Sequence, residues 1–133
     1  MAAPFIGVLG ESTTASTGTN TVYTVPAGRA SKVKCMFTFK GGSGGTSTFA
    51  IKVNNAQVMI TGALASTDQG YSSTAALLKV GASIADGLAA ATTVAPGPPE
   101  YYLAAADVIS YVVATEDLAS VNFQVVGTET SIT

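Results

Sequence analysis

Ser31-Lys32-Val33-Lys34-Cys35-Met36-Phe37-Thr38-Phe39-Lys40 decides the fold of this chain. Val33, Cys35, Phe37 and Phe39 alternate with Lys32, Lys34, Met36 and Thr38. In an extended strand successive side chains point to opposite faces, so this period of two gives one apolar face and one polar face. An apolar sheet face must be covered by another layer. Cys35 lies on the apolar side, where a thiol behaves as a small core hydrophobe rather than a nucleophile.

Working outward, the same chemistry recurs. Thr21-Val22-Tyr23-Thr24-Val25 is β-branched and aromatic, and Pro26-Ala27-Gly28 ends it as a turn. Gly41-Gly42-Ser43-Gly44-Gly45 reads as a flexible hairpin-type loop. Residues 46–54 form the next strand, with Phe49, Ile51 and Val53 inward, and Asn54-Asn55 is a turn pair because Asn tolerates positive φ. Residues 56–61 follow as a short strand. Beyond a rigid Pro96-Gly97-Pro98-Pro99 loop, strands are expected over 100–103 and 108–113, flanking a turn at 104–107. Val121, Phe123 and Val125 alternate in a last strand, and 127–133 reads as a polar tail.

Residues 62–95 are rich in Ala, Ser, Thr and Gly. Residues 63–65 and 85–91 have helical propensity, but Gly70, Gly81 and Gly87 argue against a long helix. Strands at 77–80 and 90–94 with intervening loops are the expectation. The total is about eight short strands with turns every 8–12 residues, the pattern of an all-β sandwich or barrel.

The domain organisation follows. Residues 21–133 read as a single β-sandwich domain. In residues 1–20 an apolar stretch, Phe5-Ile6-Gly7-Val8-Leu9, precedes a small polar run from Ser12 to Asn20. An N-terminal arm with a sticky tip and flexible stem fits this pattern, and so does a first strand with its loop. As an arm, Phe5, Ile6, Val8 and Leu9 are the expected partner contacts, and deletion of 1–20 should leave the fold intact.

Composition narrows the function. Of 133 residues only 11% are charged, against roughly 25% in an average domain. A surface of Ser, Thr, Gly, Ala and Asn suits a protein packed against neighbours, where each desolvated charge is costly unless paired. Six basic residues and a net charge of −2 argue against nucleic acid, and no basic run suits a membrane surface. The first residues lack the pattern of a secretory signal, so the expectation is folding in a cytoplasm without export by the general secretory route.

The chain has no histidine and one cysteine. Ser-His-Asp and Cys-His machinery, His-based metal sites and a cysteine zinc site are therefore not available to it. Neither a catalytic residue nor a cofactor or metal is expected. Three lesser candidates remain. Asp107 with Glu116-Asp117 offers carboxylates for a glycosidase pair or calcium loop, but the spaced Asp or Asn of a calcium loop is missing, and a turn before a strand and a hairpin loop are the favoured account. Gly41 to Gly45 lacks the Gly-Lys-Ser/Thr and helix of a phosphate loop, which favours a mobile hairpin tip. Tyr101-Tyr102 suggests a carbohydrate-stacking pair; the plainer account is one core tyrosine and one at a subunit boundary.

Three segments together resemble small virion proteins of tailed bacteriophages. They are Tyr23-Thr24-Val25-Pro26-Ala27-Gly28-Arg29 with the strand after it, Phe49-Ala50-Ile51-Lys52-Val53-Asn54, and Tyr101-Tyr102-Leu103-Ala104-Ala105-Ala106-Asp107-Val108-Ile109-Ser110-Tyr111 with a closing Val121 to Glu129. They cover about half the chain. Where the family pattern has Gly before the Asp, this chain has Ala106, so a different turn type is expected there. The resemblance implies a jelly-roll-like antiparallel sandwich, often trimeric, serving as a capsid decoration (cement) protein bound to the major capsid protein on the outer capsid surface. A tail, baseplate or fibre-attachment role and a carbohydrate-binding adhesin module are the alternatives.

Overall fold

A computed structural model of the chain describes residues 5–60, 64, 66, 69–73, 76–80 and 100–132, and the side chains of all but 58–60, 69, 70, 71–73 and 76–80 among them. It is all-β. Among the described residues, ten strands run in the order β1 (Phe5–Ser12), β2 (Gly18–Thr24), β3 (Arg29–Lys40), β4 (Phe49–Val53), β5 (Ala56–Ile60), β6 (Gln69–Ser73), β7 (Ala76–Val80), β8 (Tyr101–Leu103), β9 (Val108–Val113) and β10 (Ser120–Ser131). The expected strand or helix propensities at 85–94 and the loop at 96–99 lie outside the described residues.

All pairings among the described residues are antiparallel, and four of them nest. β1 pairs with β10, β2 with β9, β3 with β8, and β4 with β5. Rolling up such a nested hairpin produces a jelly roll of two packed sheets. The larger sheet has the order β1-β10-β3-β6-β7, with β8 beside β6 on β3; the smaller has the order β2-β9-β4-β5.

The decisive strand behaves as its alternation requires. In β3, Ser31, Val33, Cys35, Phe37 and Phe39 are buried, and the residues between them are exposed. Burial pushes the Cys35 thiol up to about 12, as an apolar site does to a group that would have to ionise within it. Directly opposite, β10 places Val125, Phe123 and Val121 beside Cys35, Phe37 and Phe39. From the other sheet come Phe49 and Tyr111. Phe39 and Phe49 lie 5.0 Å apart, Tyr111 and Phe123 5.1 Å, and Phe37 and Phe49 5.3 Å. These centroid separations lie in the favourable range for aromatic pairs.

Several loops differ from their sequence reading. β3 and β4 belong to different sheets, so Gly41 to Gly45 is a crossover rather than a hairpin tip. It is also packed: a methyl group added at Gly42 would overlap the Asp117 carbonyl oxygen. Glu116-Asp117 likewise lies on a crossover, between β9 and β10. The polar tail is strand as far as Ser131, because Gly127 to Ser131 pair with Val33 to Arg29. Polar residues keep the ladder there because Glu129 has partners at the end of the sandwich, described below.

Residues 5–20 are built into both layers. β1 pairs with β10 throughout its length, with a bulge between Val8 and Gly10, and the segment after it is pinned. Tyr111 Oη donates to the Thr14 carbonyl at 2.6 Å, Leu118 N–H donates to the Ala15 carbonyl at 2.9 Å, and Asp117 accepts from the Thr17 amide and hydroxyl at 2.7 and 2.8 Å. The first-strand reading therefore holds, and the flexible stem does not. Deleting 1–20 removes β1 and the start of β2, so that deletion cannot leave the fold intact.

Candidate docking face

The segments that carry the bacteriophage resemblance converge at one end of the sandwich. Val25 N–H donates to the Asp107 carbonyl at 3.0 Å, and Ala106 N–H donates to the Val25 carbonyl at 2.9 Å. Asn54 Nδ2 donates to Asp107 Oδ1 at 2.9 Å, while Val108 N–H donates to Asn54 Oδ1 at 2.8 Å. Asp107 Oδ2 accepts from Ala104 N–H at 2.8 Å. The hydrogen bond from Ala104, then that from Asn54, holds the Asp107 carboxyl below the usual carboxylate range.

Beside this, Tyr23 Oη donates to Glu129 Oε2 at 2.8 Å and lies 2.6 Å from Ser31 Oγ. Arg29 meets the other Glu129 oxygen at 3.1 Å. Burial, opposed by the Ser31 hydrogen bond and reinforced by Glu129, raises the Tyr23 phenol to about 12. These groups satisfy one another and tie together the ends of β2, β3, β4, β8, β9 and β10. Their work is to hold the fold.

Asn54 and Asn55 take φ of 52° and 66°, as expected of a tight hairpin turn. Ala106 takes φ of 72°. The backbone thus keeps the left-handed conformation suited to glycine, although the residue is alanine.

The carboxylate candidates are separated. Asp107 precedes β9 and Glu116-Asp117 follow it, so they sit at opposite ends of a six-residue strand about 20 Å long. Of the tyrosines, Tyr111 is fully buried, Tyr101 packs partly against the core, and Tyr102 is exposed. Tyr101 is thus the packed ring of the Tyr101-Tyr102 pair and Tyr102 the outward one.

The four expected contact residues do not form one patch. Ile6 and Val8 pair with Thr128 and Val126 and share the outer face of the larger sheet. Phe5 is opposite Glu129, on the inward-turned side at the end of the sandwich, and Leu9 at the bulge packs against the core.

Register shows what Ile6 and Val8 belong to. One row runs straight across four strands: Ile6, Thr128, Lys32, Tyr102. The next runs Val8, Val126, Lys34. Met36 follows on β3, opposite Gln124. Ile6 and Tyr102 are each 76% exposed, Val8 47% and Met36 45%. Three of the six basic residues in the chain, Lys32, Lys34 and Lys40, rise from the same strand face.

Lys32 is 3.3 Å from Glu100 and lies over the Tyr102 ring at 5.8 Å. Among the described residues no carboxylate lies within salt-bridge distance of Lys34 or Lys40. A groove of about 570 Å³ opens between Tyr102, Lys32, Thr128 and Thr130. Large apolar side chains interleaved with lysines on one flat sheet face suit a protein surface that offers apolar seats and carboxylates.

Sequence reasoning found β1 and missed the rest of this face. The alternation of β3 already placed its lysines and Met36 on one side, but the neighbouring strands of that side required the topology. The chain matches no known protein family, no curated protein and no solved structure.

Proposed function

We propose that this chain is a structural virion protein of a bacteriophage, a capsid decoration protein that bridges major capsid protein subunits on the outer capsid surface and does no catalysis. What carries the reading is the outer face of β1-β10-β3-β8, where Ile6, Val8, Met36 and Tyr102 stand exposed among lysines. The nested jelly roll, the low charge and the resemblance described above support it. Apolar burial at such a face contributes roughly 25 cal/mol per Å² before association costs, and many symmetric copies multiply a modest contact.

The test is the composition of purified virions, followed by binding of the purified chain to particles lacking it. Hundreds of copies per particle, with binding weakened by Met36→Asp and by Tyr102→Ala, are expected. A few copies per particle would instead place the chain in a tail or baseplate. Absence from virions, or undiminished binding of both variants, defeats the reading.

A further inference from the structure

β1 is an edge strand of the larger sheet, and among the described residues no strand pairs with its far side. An uncovered edge presents a row of backbone donors and acceptors to any other extended chain. Natural sheets blunt such edges with lysine, proline or inward-pointing charge. Between Phe5 and Val8 β1 carries none of these; its one blunting feature is the bulge between Val8 and Gly10, and its first charge, Glu11, lies beyond it. Phe5, Ile6 and Val8 are about half exposed or more.

The sequence of that edge is complementary to itself. With two copies antiparallel about a two-fold axis through Gly7, Ile6 lies opposite the second copy's Val8, and Val8 opposite its Ile6. Both residues are on the outer face, and directly opposed antiparallel residues share a face, so the aliphatic pairs meet. Gly7 meets Gly7 on the axis, where no side chain obstructs the approach. Phe5 falls opposite the bulge at Leu9, where regular pairing ends, so the regular overlap is centred on Ile6 to Val8. Glu11 lies outside it. A foreign strand would not require this symmetry.

The geometry points to a second copy of this chain as the occupant, paired through β1 into one continuous sheet that joins the two outer faces. The contact is small. At the area per side chain that hydrophobic transfer implies, the three apolar residues of each copy give roughly 400 Å² for the pair. With the backbone bonds this falls in the weak, transient class of interface, so the dimer is expected to dissociate at micromolar concentration. The arrangement differs from a trimer, whose cyclic contact joins two different surface patches. It does not rest on the virion reading.

Sedimentation of the full chain from about 1 to about 100 µM brackets that weak range. A concentration-dependent dimer is expected. Ile6→Lys and Val8→Lys, both at exposed positions, should weaken it about tenfold or more while leaving circular dichroism and melting unchanged. Oxidised Ile6→Cys/Val8→Cys should form a covalent dimer. Ile6→Cys alone should not, because its two copies are offset diagonally beyond disulfide reach. A monomer at every concentration overturns the proposal, as does a dimer or trimer that both lysine variants leave intact. Binding of a foreign strand by an otherwise monomeric chain overturns it too.

Discussion

Tyr111→Phe isolates one hydroxyl that joins the two layers. The ring stays on β9, fully buried and stacked 5.1 Å from Phe123, so packing is unchanged. The hydroxyl reaches out of the smaller sheet to the end of β1, donating to the Thr14 carbonyl at 2.6 Å and meeting Ser12 Oγ at 2.8 Å. Because the Tyr111 proton goes to Thr14, the Ser12 hydroxyl donates to Tyr111. Each such bond is worth about 1 kcal/mol net, so the variant should lose about 2 kcal/mol. At this chain length that is a fall in Tm of roughly 6–10 °C. Ser12→Ala should lose about 1 kcal/mol, and the double variant hardly more than Tyr111→Phe alone, a coupling of about 1 kcal/mol. Urea unfolding of the four proteins measures all of this, with one m-value expected throughout. Additive losses with no coupling would refute the shared bond, and with it the account of how the 12–17 segment is pinned.

Four further outcomes are expected. Ala106→Gly should raise stability by about 0.5–1 kcal/mol in the same urea assay, since relief of the left-handed alanine exceeds the added freedom of the unfolded chain. Gly42→Ala should cost about 1–3 kcal/mol, because its methyl meets the backbone of Asp117, which cannot swing aside. Stability should be flat between about pH 5 and 9, fall in acid as the native carboxylates of Asp107 and Asp117 are protonated, and fall between about pH 9 and 12. There the unfolded chain releases the protons of Cys35, Tyr23 and Tyr101, whereas burial holds each of these groups up to about 12 in the native state. A thiol reagent at neutral pH should label Cys35 only at the rate of unfolding, and fast stoichiometric labelling of the native chain would contradict its burial.

Local chemistry was enough for most elements. β3 was legible because strict alternation over ten residues has one interpretation in a chain whose apolar face must be covered. The Asn54-Asn55 turn was legible because few residues accept two successive positive φ values. Cys35 went where alternation sent it. The errors lie where a segment's fate depends on a partner far along the chain. Gly41 to Gly45 looks mobile until Asp117 is packed on it. Gly127 to Ser131 looks like a tail until β3 pairs with it. Ala106 departs from the glycine pattern, yet the bonds to Val25 and from Asp107 to Ala104 hold its backbone in that conformation.

The sequence by itself determined strand identity, which side of each strand is greasy, and how few charges the surface bears, because these are set within a few residues of backbone. Only the tertiary structure decided that β1 is an edge, that Ile6 and Val8 join Lys32, Lys34, Met36 and Tyr102 while Phe5 and Leu9 turn away, and that Asp107 and Asp117 stand at opposite ends. Antiparallel pairing between residues some hundred positions apart sets these neighbours, and no local propensity encodes which strand lies beside which.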